Sequence, residues 1–108
     1  MGRMLDLARL LSSREVGSRG IAGVREIEQE FIELLTFAPA EEIVSMLRTV
    51  LDEDWIGLPL WARNLAYRLA CLQKPDDPSL LREAAADLLA ASLEIGKNAF
   101  AMFGIVFF

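Results

Sequence analysis

Prolines stand at positions 39, 59, 75 and 78, and between them the apolar residues recur at the three-and-four spacing of a helix face. Proline lacks an amide N–H and clashes with the preceding turn, so it is excluded from a helix interior but suits the first turn. These breaks divide the chain into helical segments. Met4, Leu7, Ala8 and Leu11 predict a short helix over 3–13, followed by a Ser-, Gly- and Arg-rich loop to Gly20. Val24, Ile27, Phe31, Leu34 and Leu35 form the stripe of a helix over 21–37. After Pro39, Glu41 and Glu42 suit the positive end of a new helix dipole, and Ile43, Met46, Leu47, Val50 and Leu51 carry the stripe to about 52. Asp52 to Gly57 is a connection; Pro59 opens a helix over 59–73 with Ala62, Leu65, Ala66, Leu69 and Leu72 on its face. Lys74 to Asp77 is a turn in which Asp77 is the N-cap and Pro78 the first helical residue. Leu81, Ala85, Leu88, Leu89 and Ser92 line the helix over 78–94. No run alternates with period two, so no strand is expected.

With 108 residues the chain is one domain, expected to span 1–97, followed by an apolar tail over 98–108. The predicted core is Phe31, Leu47, Leu65 and Leu69.

Shifting the chain by 38 residues places Arg25 on Arg63, Ile27 on Leu65, Phe31 on Leu69 and Leu34 on Leu72. The same shift places Ile43 on Leu81, Leu47 on Ala85, Val50 on Leu88 and Leu51 on Leu89. A period near 40 with two helices per unit is a pattern of helical solenoids. The run Leu60-Trp61-Ala62-Arg63-Asn64-Leu65-Ala66-Tyr67-Arg68-Leu69-Ala70, the Pro-Asp-Asp-Pro turn, and Leu80-Leu81-Arg82-Glu83-Ala84 together resemble a HEAT-like helical repeat. The likeness is best over 59–91; over 21–52 bulky Phe31 and Ile32 stand where small residues are usual. The resemblance implies an all-α fold of two antiparallel helix hairpins stacked as a short solenoid. It also implies protein binding through helix surfaces, with no chemistry.

The chain has no histidine, which removes the commonest general base and zinc ligand. Cys71 is its one cysteine and lies in an apolar run, so it reads as an inert thiol and no intrachain disulfide is possible. No phosphate-binding loop follows the glycines at 17, 20 and 23. Trp55 and Ile56 break any calcium-loop pattern after Asp52, Glu53 and Asp54. The expectation is a protein that is not an enzyme and uses no cofactor or metal. Charged residues interrupt the apolar start, so no signal peptide is expected, and the composition fits the cytoplasm.

Charge is unevenly distributed. Residues 1–25 carry a surplus of +3, residues 26–54 hold nine acids against Arg48 alone, and residues 55–108 balance. Nucleic acid is disfavoured as a partner and a basic protein favoured. Glu26, Glu30 and Glu33 stack like charges along one helix face. Asp52, Glu53 and Asp54 stand at a helix C-terminus, where the dipole disfavours acids and where Arg63 is placed to offset them. These six acids and Trp55 are the candidate partner-binding residues, on a module of the small acidic inhibitor or immunity type. Trp55 and Trp61 flank the turn before 59–73, where tryptophan either fills the gap between hairpins or anchors a partner.

The tail is uncharged from Asn98 and contains Phe100, Phe103, Phe107 and Phe108, with Gly96 and Lys97 reading as a helix stop. Four readings are open. It packs back over the last hairpin; it docks on a partner, a membrane surface or a second copy; it is the modified segment of a precursor whose body is a leader; or it is foreign sequence joined near Ala91-Ser92-Leu93-Glu94. The first reading buries Phe100, Phe103 and Ile105.

Overall fold

The computed structural model describes residues 2–13, 20–55 and 57–103, with side chains of the last helix described through Ala91 and at Leu93. Among the described residues the chain is all-α: α1 (Gly2–Ser12), α2 (Gly20–Phe37), α3 (Ala40–Glu53), α4 (Leu60–Gln73) and α5 (Pro78–Phe103). Pro39 and Pro59 sit one position earlier than a first helical residue, in extended conformation with ψ of 150° and 147°. Their carbonyls start the helices. That of Pro39 accepts from the Glu42 and Ile43 amides, and that of Pro59 from the Ala62 and Arg63 amides. Asp77 is the N-cap of α5, its Oδ1 accepting from the Leu80 amide at 3.1 Å. Gly20 enters α2 with φ of 78°, a backbone angle costly for any residue with a Cβ.

The packing pairs α1 with α2, α3 with α4, and α4 with α5, and α1 also meets α3 while α2 meets α4. The first expected hairpin is therefore corrected. α2 and α3 share little contact although residues 38 and 39 alone join them. Their junction is a corner, tied from outside by Gln73. The Ala40 amide donates to Gln73 Oε1 at 2.8 Å, and Gln73 Nε2 donates to the Ala38 carbonyl at 2.8 Å. The short axis of the molecule is 20 Å, about two helix diameters.

α1 lies against α2 and α3 with Met4, Leu7, Ala8 and Leu11 buried. Phe31 and Leu35 of α2 and Ile43, Met46, Leu47 and Val50 of α3 are covered almost completely. Phe31 also meets Trp61 edge-on, with ring centroids 6.3 Å apart. Phe31 and Leu47 are core as expected. Leu65 and Leu69 are half-buried at the margin, and Leu72 is 70% exposed. The buried face of α4 is Ala62, Arg63, Ala66, Tyr67 and Ala70. Alanines at 62, 66 and 70 let neighbouring helices approach, which leucines in those places would prevent.

The face of α5 is displaced from the expected one. Leu80, Ala84 and Ala91 are buried, whereas Leu81 and Leu89 are 46% and 64% exposed. Apolar residues surround this helix, so periodicity alone fits several faces. Asp87 chooses among them. It stands seven residues after Leu80, three after Ala84 and four before Ala91, and it turns inward to the buried guanidinium of Arg63. The 38-residue overlay therefore does not carry over to burial. Ile43 is fully buried and its counterpart Leu81 is not; Arg63 is 2% exposed and its counterpart Arg25 lies on the surface. The helix stop at Gly96–Lys97 is also corrected, because α5 continues to Phe103. One glycine costs a helix only about 1 kcal/mol relative to alanine, and Glu, Lys, Ala, Met and Leu around it favour the helix. Residues 98–103 thus extend α5, while 104–108, with Phe107 and Phe108, lie outside the described residues.

Candidate functional site

Much of the charge separation along the sequence is neutralised by folding. Arg3 of α1 grips Glu30 of α2 with two hydrogen bonds of 2.6 and 2.8 Å. Arg9 grips Glu53 of α3 with two of 3.0 and 2.7 Å. The two arginines thus fasten α1 to the helices beneath it, and each hydrogen bond holds its carboxylate below the usual range. Glu41 is bound in the same way by Lys74. Glu30 and Glu53, two of the residues expected to meet a partner, are therefore engaged within the chain.

Trp55 and Asp54 are also engaged. Asp54 Oδ1 accepts from the Gly57 amide at 3.1 Å, closing the turn after α3. Gly57 gives the turn room, because a Cβ there would displace the Asp54 carboxylate and lie 3.0 Å from the Ser12 carbonyl oxygen. The Trp55 indole Nε1 donates to Asp87 Oδ1 at 3.2 Å, and the Trp55 carbonyl accepts from Arg63 Nη1 at 2.8 Å. The Arg63 guanidinium lies 5.0 Å from the centre of the Trp55 ring. Arg63 does not offset Asp52, Glu53 and Asp54. It pairs with Asp87, which the sequence reading had not singled out, and Trp55 closes that cluster.

Of the remaining acids between residues 26 and 54, Glu26, Glu33, Glu42 and Asp52 are exposed and have no ion-pair partner among the described residues. Two of them, Glu33 and Glu42, line one groove of about 480 Å³ between the start of α1 and the α2–α3 corner. Met4 and Leu34 supply apolar wall, and Phe37, 86% exposed, stands in it as the last residue of α2. Neither Phe37 nor Glu42 was singled out from sequence. The available signal was that Phe37 lies off the Phe31–Leu34–Leu35 stripe, just before a proline corner, where an aromatic ring has no place in the core.

A second groove, of about 420 Å³, runs between α3 and α5 over Val44 and Leu80. Its charges are engaged within the chain, Glu41 with Lys74, Arg48 with Glu83, and Asp77 with the Leu80 amide. Among the described residues no three metal-ligating side chains gather, and no helix is long and apolar enough to cross a membrane. Cys71 is half-buried, and burial raises its thiol pKa, with Asp77 adding to the shift. The backbone at Phe100 and Phe103 belongs to α5. Comparison with protein-family models, curated proteins and solved structures finds no match to this chain.

Proposed function

We propose that the chain is a non-catalytic protein-binding module that recognises a basic partner through the groove at the α2–α3 corner. The observation that carries this reading is the pairing of an exposed aromatic side chain with uncompensated acids: Phe37 shares a groove with Glu33 and Glu42. An apolar anchor beside two free carboxylates, in a groove whose one cation, Arg3, is already paired with Glu30, suits a segment that presents a bulky apolar residue flanked by Lys or Arg. The anchor supplies affinity, and the charges supply encounter rate and selectivity. Glu26 extends the acidic surface along α2. An inhibitor or immunity-type role, shielding a basic toxin or enzyme, is the biological form of this reading.

The architectural reading changes its units, from the expected α2/α3 and α4/α5 hairpins to stacked α1/α2 and α3/α4 hairpins with α5 packed on α4. The α1–α3 and α2–α4 contacts support it, since stacked hairpins place each helix against the second one along the chain.

The test is affinity capture from the native host with the wild-type chain and with a Glu26→Gln, Glu33→Gln, Glu42→Gln variant. A basic protein held by the wild type, lost by the variant and associating more slowly as salt rises supports the proposal. Equal retention by both chains, or no protein that prefers the wild type, refutes it.

A further inference from the structure

Inside the fold one arginine is held on an aromatic ring, and the parts of that holder recur at the α2–α3 corner. The Arg63 guanidinium lies 5.0 Å from the centre of the Trp55 ring, and its N–H groups donate to the Asp87 carboxylate and the Trp55 carbonyl. Ring and acceptors take different parts of one planar cation, the ring its face and the oxygens its edge. At the corner the ring is Phe37 and the carboxylates are Glu33 and Glu42. Glu33 and Phe37 stand four residues apart on α2, so they are neighbours on one face of the helix. Glu42 enters from the first turn of α3. Phe37 is 86% exposed, and neither carboxylate has an ion-pair partner among the described residues. α2 ends at Phe37 with no basic residue in its last turn, so the negative end of its dipole adds to the two carboxylates. The positive end of α3 already has Glu41 and Glu42 in its first turn. One turn earlier on α2 the row of acids is filled by the chain itself. Glu30, three residues before Glu33, accepts from Arg3 at 2.6 and 2.8 Å.

We infer that the cation taken by this groove is an arginine side chain of the bound protein, with its guanidinium laid on the Phe37 ring and its N–H groups donating to Glu33 and Glu42. The inference rests on the groove reading and names what the groove selects. Lysine is the poorer fit. Its ammonium is a compact, strongly hydrated charge that leaves most of the ring uncovered, whereas the flat guanidinium covers the ring and donates in two directions at once. The fold itself shows the same preference. Arg3, Arg9, Arg48 and Arg63 each take a carboxylate through two nitrogen atoms, and Lys74 takes Glu41 through its one ammonium nitrogen. Bound at the corner, the guanidinium would also relieve Glu33, an acid standing close to the negative end of its own helix.

The test is an NMR titration of the full chain with two end-blocked tripeptides of equal charge, Leu-Arg-Leu and Leu-Lys-Leu. Leu-Arg-Leu should shift the Glu33, Phe37 and Glu42 amides and bind about tenfold more tightly than Leu-Lys-Leu, the scale of one charge-assisted hydrogen bond. The δ-methylene protons of its arginine should move upfield in the ring current of Phe37. Phe37→Leu should abolish that upfield movement, and Glu33→Gln with Glu42→Gln should remove the preference for arginine, both with unchanged helical circular dichroism. Equal binding of the two peptides at the corner would overturn the arginine site and leave the groove for a basic partner standing. Shifts at the corner without the upfield movement would overturn the stacking on Phe37. No shift at the corner with either peptide would overturn the groove reading as well.

Discussion

Arg63 on α4 and Asp87 on α5 form a two-pronged ion pair, Nε to Oδ2 at 2.9 Å and Nη2 to Oδ1 at 2.7 Å, with both side chains almost wholly covered. Removing one member leaves the other charged and enclosed, which typically costs about 3–5 kcal/mol, whereas replacing both by apolar groups is often far milder. Arg63→Met and Asp87→Leu should therefore each lower unfolding free energy by about 3–5 kcal/mol, and the double variant by clearly less than the sum. Urea denaturation of the four chains checks this. Additive losses would mean that the pair is not energetically coupled.

The helices were legible in the sequence and their faces were not. Helix starts follow from proline and Asp77, whose chemistry is local and needs no knowledge of neighbours. The faces of α4 and α5 depend on what lies opposite. Both helices carry more apolar residues than one stripe requires, so several rotations satisfy the spacing. The rotation adopted is the one that brings Arg63, Asp87 and Trp55 together, a relationship across 32 residues that no local pattern contains. The internal pairing of two candidate acids, Glu30 and Glu53, was hidden for the same reason. Arg3 and Arg9 are distant from Glu30 and Glu53 in sequence and adjacent in the fold. Phe37 and Glu42 become neighbours of one groove only because α2 and α3 meet at a corner.

Core substitutions should separate the margin from the centre. Phe31→Ala removes a fully buried ring and should cost about 3–5 kcal/mol. Leu65→Ala, at the half-buried margin, should fall below the roughly 2–5 kcal/mol of a buried leucine. Ala66→Leu should be the more harmful change on α4, destabilising by about 1–3 kcal/mol through overpacking. A tolerated Ala66→Leu together with a severe Leu65→Ala would show that the face of α4 has been assigned wrongly.

The Gln73 amide replaces the hydrogen bonds that a longer α2–α3 loop would make for itself. Its removal in Gln73→Ala should cost about 1 kcal/mol, because water can reach part of the corner. Hydrogen exchange at the Ala40 amide should accelerate more than exchange in the middle of α3. Unchanged protection at Ala40 would mean that the corner is held by other contacts.

Stability should have a lower and an upper pH limit. Glu30, Glu41 and Glu53 are held below their ordinary value near 4.5 by hydrogen bonds from Arg3, Lys74 and Arg9. A depressed carboxylate stabilises the fold above its unfolded pKa and loses that contribution as pH falls through its folded value. Stability should therefore decline below about pH 4.5 and be restored on neutralisation. At the other end, burial raises the Tyr67 phenol above 10.0, and the hydrogen bond to Glu41 raises the Lys74 ammonium above 10.5. Groups with raised folded pKa values stabilise fully below their unfolded values, so stability should fall as pH climbs past about 10. Thermal melts across the pH range check both limits. A Glu30→Gln, Glu41→Gln, Glu53→Gln chain should lose much of the acid-side dependence.

The most direct test of the central claim uses the captured partner itself. Stopped-flow association with the wild-type chain, with Phe37→Ala and with Glu33→Gln, Glu42→Gln should be measured at low and high salt. The account requires that the charge variant associates more slowly than wild type at low salt and converges on it at high salt, as steering by these carboxylates demands. It also requires that Phe37→Ala keeps the wild-type salt dependence but dissociates faster, with unchanged circular dichroism. Association indifferent to both changes would contradict a binding groove at the α2–α3 corner.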